Sequence, residues 1–403
     1  MATERWVGVL RDDDETAGGV QPIELFFDLV FVLAVTQVTH RLMQHLTLRG
    51  MLETLLLLLA MWMGWINTTW TTNYFDTGRR RVRLVLLWAM FASLILSASI
   101  PRAFENRGLA FAVAIVALLL GTSGSLFVGL GRRHQLGPVI QRVVIWWSGI
   151  GVLWIAGGLV HGDARFALWL AAIAATYAVT WLGFPVPRLG VSRTTDYTIE
   201  GAHMAERCYL FITLALGESI LITGSRFGAL PTTIGTDIAF GIAFLSTVGL
   251  WWIYFDRAED AAAREIADAD DPGHLGLIAY TFGHVPLVAG IIVAAVADEL
   301  TIPHPHDPTT LASGLATLGG PALYLAGHAG FKWMVWRRVS PSRIGGLLAL
   351  GALIPVAFVA SRLMLLALAT AVLLAVVLAY VLLERHRPRS LAADLVEEPA
   401  EQR

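Results

Sequence analysis

Residues 23–40 read IELFFDLVFVLAVTQVTH, and this run decides the class of fold. It is close to the ~20 apolar residues that carry a helix across a bilayer core. Yet it holds Glu24 and Asp28 in its first turns and His40 at its far end. A charged side chain at a bilayer centre costs about 2.5–3.5 kcal/mol on insertion scales, so such groups persist where they face other helices or water. Glu24 and Asp28 are four residues apart and share one face of a helix. That face is expected to meet protein or water, and the Phe, Val and Leu side to meet lipid.

The rest of the chain is built in the same way. Of 403 residues, 56% are hydrophobic and 15% charged, outside the range of soluble domains. The runs Met51–Trp65, Leu109–Leu120 and Met364–Leu383 add further spans. The expected partner is therefore a lipid bilayer. A net charge of −2 selects no charged macromolecule, and no nucleic-acid partner is expected. The single cysteine, Cys208, forbids an intrachain disulfide and reads as packing. The first 22 residues are acidic and lack an apolar core, so no signal peptide is expected.

Spacing of the apolar runs predicts an all-α polytopic integral membrane protein of about twelve transmembrane helices. They fall near 23–40, 51–72, 83–100, 109–130, 140–160, 165–185, 206–223, 236–255, 276–297, 310–331, 344–360 and 363–383. Loops on the N-terminal side, with both termini, hold 22 of the 29 Arg and Lys residues. The positive-inside rule then places both termini in the cytoplasm. The pattern also repeats: Glu24 to Asp76 spans 52 residues and Glu206 to Asp256 spans 50, and Arg165 and Arg362 open the sixth and twelfth helices. Six helices per half gives two parallel repeats, 23–185 and 206–383. They are flanked by a cytoplasmic segment 1–22, a linker 186–205 and a disordered tail 384–403.

Several segments carry a family resemblance. ELFFDLVFVLAVTQVTH, WINTTWTTNYFD (65–76), AERCYLFITLALGESIL (205–221), WWIYFD (251–256), AYTFGHVPLVAGI (279–291) and GPALYLAGHAGFKW (320–333) run through most of the chain. Together they resemble the bacterial low temperature requirement protein A family. The resemblance implies a multi-pass protein of the bacterial plasma membrane with a role in growth in the cold, and names no reaction, ligand or substrate.

Depth along each helix sorts the ionisable groups. Glu24, Asp76, Glu206, Arg207 and Asp256 fall at helix ends on the cytoplasmic side, and are expected to form rim salt bridges or a symmetric gate. Asp28 lies about 6 Å deeper than Glu24, and Glu218 about 18 Å along its helix. Such carboxylates are candidates for a proton or cation site. His284, two residues before Pro286, is a candidate proton carrier, and Thr36 and Asn67 are candidates to line a solute cavity. His40, His203, His328 and Lys332 are secondary candidates; the last two are one helical turn apart. Glu200, His203 and Arg207 share one face, as a salt-bridge cluster or the trio of an intramembrane enzyme. Gly217, Gly283, Gly290, Gly320 and Gly327 are expected to allow close helix approach. HPHDP (304–308) lacks the fixed ligand set of a metal site.

No phosphate-cradling loop, HExxH, G-x-S-x-G or paired Cys/His pattern is present, so neither an enzyme activity nor a cofactor is expected. The leading expectation is a proton- or ion-coupled transporter of a small solute or ion, with its site between helices 1, 2, 7, 9 and 10. The alternatives are a non-transporting factor acting on lipid or envelope, and an intramembrane enzyme. Substrate and oligomeric state are not encoded in any motif.

Overall fold

A computed structural model describes residues 19–131, 134–192, 201–255, 265–266 and 269–384. Among these there is no strand, only the isolated bridges Val186–Gly190 and Pro308–Ser361. Twelve membrane-scale helices follow one another. They are α1 (Pro22–Gln44), α2 (Leu48–Tyr74), α3 (Arg80–Ser99), α4 (Gly108–Leu130), α5 (Gly137–Leu159) and α6 (Gly162–Trp181). Then come α7 (Gly201–Gly228), α8 (Ile234–Phe255), α9 (Pro272–Thr301), α10 (Leu311–Trp336), α11 (Pro341–Phe358) and α12 (Arg362–Ala379). Eleven are long and apolar enough to cross a membrane. The remaining one, α10, is diluted by Gly314, Gly319, Gly320, His328 and Lys332. At 26 residues it still reaches about 39 Å.

Local chemistry fixes the ends and breaks of the helices. Pro22 opens α1, where its missing N–H costs nothing. The Glu24 carboxylate accepts from Gln21 N at 3.0 Å and closes a capping box. α7 starts at Gly201, so 201–205 belong to the helix and not to the expected linker. That extension moves Arg207 about 9 Å into the helix. α9 is composite: a short turn Pro272–Gly276, a π-helix Leu277–Phe282 and an α-helix Val285–Thr301 with Pro286 in its first turn. Irregular backbone of this kind survives in a membrane only where other groups satisfy it. Here His284 Nδ1 takes the Ala279 carbonyl at 2.9 Å.

Packing builds two six-helix groups that meet along α1, α2, α7 and α9. Within the first group α1 packs on α2 and α3, α2 on α3, α4 and α6, α3 on α4, and α5 on α4 and α6. Within the second, α7 packs on α8 and α9, α8 on α9, α10 and α12, α9 on α10 and α12, α10 on α12, and α11 on α10 and α12. The core holds Trp62, Trp65, Trp154 and Trp169 together with Phe27 and Phe31. Leu25, Phe26 and Leu29 stay exposed on the outer side of α1, as expected of a lipid face. A Cβ on Gly320 would sit 2.6 Å from Ala294 N, and one on Gly290 2.7 Å from Tyr324 N, so α9 and α10 meet backbone to backbone. Gly217 differs from expectation: open space surrounds it, and it mediates no close contact.

Two arginines clasp helix ends on the face opposite the start of α1. Arg165 donates to the carbonyls of Ala103, Glu105, Gly157 and Val160. Arg362 Nη1 donates to Leu300 O at 2.8 Å. Each opens its helix and satisfies carbonyls left free where a neighbouring helix ends.

Candidate functional site

Four ionisable side chains, two from α1 and two from α7, meet in the interior. His203 and Arg207 repeat on α7 the four-residue spacing of Glu24 and Asp28 on α1, so each pair presents one face to the other. Arg207 Nη2 donates to Asp28 Oδ1 at 2.6 Å, and Arg207 Nη1 lies 3.1 Å from Glu24 Oε1. His203 Nε2 is 3.0 Å from the same Glu24 oxygen, and Trp65 Nε1 donates to Asp28 Oδ1 at 2.8 Å. The guanidinium lies 5.9 Å from the ring centres of both Phe27 and Trp65. Glu24, Asp28 and Arg207 have no exposed surface at all. Glu24 and Arg207 do form the expected salt bridge, but it is fully buried between α1 and α7 and is not an exposed rim pair. The matched spacing in 24/28 and 203/207 was the signal that could have paired them.

The rest of the expected rim divides. Glu206 is exposed and accepts from Val20 N at 3.1 Å, so it does not share the setting of Glu24 despite their matching positions. Asp76 closes its own loop, accepting from Gly78 N and Arg79 Nε at 2.8 Å each. Asp256 and Glu200 lie outside the described residues.

Deeper along the same interface the Thr36 hydroxyl donates to Glu218 Oε1. Further on, Arg226 Nε lies 3.8 Å from Glu299 Oε2, beside buried Asp298. Between the Arg207 cluster and Glu218 stands an aromatic block. Phe211 packs 4.5 Å from Trp65 and 5.4 Å from Trp62, and Trp62 and Trp65 are 4.9 Å apart. His284 sits on the other side of Trp62, with ring centres 6.4 Å apart. Its Nε2 lies 2.9 Å from the Tyr254 hydroxyl. A carbonyl on Nδ1 and a hydroxyl on Nε2 satisfy a neutral ring with its proton on Nδ1. His328 is buried, Lys332 lies 4.6 Å over the Tyr380 ring, and His40 is half-buried on α1.

Asn67 faces elsewhere, into a cavity of about 540 Å³ enclosed by α2, α4, α5, the end of α6 and the start of α9. Its amide donates to Thr122 Oγ1 at 2.8 Å and accepts from Trp147 Nε1 at 3.2 Å and Ser123 Oγ at 3.3 Å. Trp70, Trp147, Trp181 and Phe184 supply aromatic walls. Asp28, Glu218 and His284 do not line this cavity. The five central candidates thus fall into separate settings: Asp28 on Arg207, Thr36 on Glu218, His284 on Tyr254, and Asn67 in the cavity. Among the described residues no group of three or more His, Cys, Asp or Glu is placed to hold a metal ion. His304 and Asp307 of HPHDP are exposed and 3.7 Å apart.

The model of the bacterial low temperature requirement A protein (LtrA) family matches residues 19–378. The chain belongs to the LtrA family. Both the ion cluster and the cavity lie inside the matched span. Uncharacterized protein RA0937 of Rhizobium meliloti (strain 1021) is 37% identical over 327 residues, covering 80% of each chain. No solved structure matches significantly. This LtrA-family chain is thus a multi-pass helical membrane protein of a bacterial family.

Proposed function

We propose that this LtrA-family protein is a proton-coupled transporter in which α1 and α7 form a gate between two related halves. The observation that carries the reading is the buried cluster itself. Two carboxylates, Glu24 and Asp28, face one guanidinium, Arg207, with His203 as the remaining titratable group. With all three ionised and His203 neutral the cluster bears one net negative charge, which one proton cancels. Charged groups held inside a membrane bundle mark ion and proton pathways, and a site short of one proton is a site that can take up and release one.

Support for two related halves comes from the packing. The principal helix pairings of the first group have counterparts in the second, α1–α3 with α7–α9, α2–α4 with α8–α10 and α2–α6 with α8–α12, to which the second group adds α9–α12 and α10–α12. Arg165 and Arg362 cap equivalent helix ends. Parallel halves related by an axis along the membrane normal can rock about their interface, which here is the α1–α7 contact. The arginine distribution favours cytoplasmic termini, so the cluster would stand on the cytoplasmic side. Glu218 and Thr36 would lie beyond the Trp62–Trp65–Phe211 block, which closes the path in this conformation. His203, Glu206 and Glu218 meet three different partners, which speaks against a catalytic trio.

The test is the full chain in proteoliposomes under an imposed pH gradient, screened against a solute panel by currents on a solid-supported membrane. Expected are solute-dependent currents that follow the proton gradient and vanish in Asp28→Asn and Glu218→Gln. If no solute or ion gives a current above empty liposomes, and both variants match the parent, the transport reading fails.

A further inference from the structure

We propose that a groove between the two six-helix groups binds one acyl chain of a membrane phospholipid. The groove, about 490 Å³, lies in the half of the bundle opposite the start of α1. Its walls come one from each group: Met51 and Leu55 of α2 on one side, Leu311 and Leu315 of α10 on the other. Between them the end of α1 and the middle of α9 form the floor, where Ala289 and Val293 of α9 are half-buried. The lining side chains offer a ligand no donor. The one polar member, Thr54, donates its hydroxyl to Gly50 O at 2.7 Å.

Length and setting select an acyl chain. The lining runs from Leu48 to Leu58 along α2 and from Leu311 to Leu323 along α10, about 15 Å and about 18 Å. One leaflet of a hydrocarbon core is about 15 Å thick. Leu48 and Leu311 begin their helices and are 72% and 77% exposed, so the groove opens at a membrane surface and ends near mid-helix. It also opens sideways to lipid. From Val285 to Thr301, α9 has no exposed residue, and its half-buried residues Val285, Pro286, Ala289, Val293 and Leu300 fall along one stripe. Ala289 and Val293 of that stripe line the groove, which makes it the way from bilayer to α9. Water does not fill an apolar space of this kind, and an empty one forfeits the dispersion contacts of its walls. A lipid tail gains little from exchanging lipid for leucine; contact on three sides is what would hold it there. The site stands whether or not the protein transports.

Photolabelling tests it. The full chain is reconstituted in phosphatidylcholine vesicles that contain a rising mole fraction of phosphatidylcholine with a mid-chain diazirine. After illumination the labelled positions are mapped by mass spectrometry. Expected is labelling of α9 around residues 289–293 that saturates with mole fraction. Labelling at Phe91 of α3, 58% exposed on an ordinary lipid face, should instead rise in proportion. Ala312→Trp in the α10 wall and Val293→Phe on the floor fill the groove, and each should abolish the α9 label while the Phe91 label persists. An unlabelled α9, as when a second copy of the chain fills the groove, overturns the proposal. So does α9 labelling that never saturates, or that both filling variants leave unchanged. The saturation measurement needs no variant, so a misfolded variant does not rescue the idea.

Discussion

Replacing Arg207 by methionine strips two interior carboxylates of their cation. Glu24 and Asp28 have no surface exposure, and Asp28 would keep only the Trp65 indole as a donor. Breaking a buried ion pair by removing one partner costs about 3–5 kcal/mol, because the charge left behind is uncompensated. Arg79 provides the control: its pair with Asp76 spans 2.8 Å, but the arginine side chain is 56% exposed. Such pairs contribute ~0–1 kcal/mol. Unfolding free energies from steric trapping in bicelles should therefore separate Arg207→Met from Arg79→Met by at least about 2 kcal/mol. Removing the whole cluster is the second arm. Glu24→Gln, Asp28→Asn and Arg207→Met together leave no buried charge and should recover most of the lost stability, since neutral replacement of a buried ion network is often tolerated. The Asp28→Asn change keeps an oxygen for the Trp65 indole. Proton-linked currents should stay lost in this stable triple variant. If Arg207→Met costs no more than Arg79→Met, or if the triple variant is the least stable of all, the cluster does not hold α1 to α7 as described.

Three further outcomes follow from the geometry. Gly320→Ala should lower stability by about 1–3 kcal/mol, because its Cβ meets the Ala294 backbone at 2.6 Å; Gly217→Ala, in open space, should be neutral or stabilising by up to about 1 kcal/mol. Equal effects in the same unfolding assay would refute the packing assignment. Tyr254→Phe leaves buried His284 Nε2 without its 2.9 Å partner and should cost about 1–3 kcal/mol, readable as a lower thermal midpoint. Arg165→Met unclasps the carbonyls of Ala103 and Glu105, so amide exchange around residues 103–108 should accelerate; unchanged protection there would show that Arg165 does not secure the end of α3.

Membrane class and helix count were legible because they depend on apolar run length, which each segment states for itself. Helix starts were less so: Gly201 to Ala205 are small or polar and read as linker, yet they form the first turn of α7. That one turn decides whether Arg207 is rim or interior. Periodicity says which residues share a face, as Glu24 and Asp28 do, but not which helix lies opposite. The partners of Asp28 are 37 and 179 residues away, at Trp65 and Arg207, and only packing brings them together. The cavity was less visible still. Trp70, Trp147 and Trp181 belong to three helices, and in sequence each is one more aromatic in an apolar run. Ranking single residues by depth favoured Glu218 and His284. Both proved to be partnered, one by Thr36 and the other by Tyr254 and the Ala279 carbonyl.

One stretch of α2 reaches Asp28 of the ion cluster, His284 and the cavity. Trp65 holds Asp28, Trp62 Nε1 donates to Thr281 O at 2.7 Å, and Trp70 Nε1 donates to the same residue's hydroxyl. Thr281 lines the cavity and lies in the π-helical turn Leu277–Phe282, two residues after which His284 bonds Tyr254 of α8. A π-turn carries an extra residue that a small rotation can expel or retain, and such turns recur at functional sites. A ligand resting on Leu277 and Thr281 would therefore press on the π-helical segment of α9. A change of register there would strain both indole bonds to α2 at once, and α2 carries the Trp65 contact to Asp28. Ligand binding in the cavity and any rearrangement of the cluster would then be linked through packed groups of α9 and α2, the kind of connection through which separate sites can be coupled. Were the protein a proton-coupled transporter, as proposed, the separation of cavity and ion cluster, in place of the single site expected from sequence, would make such a link through α2 and α9 necessary.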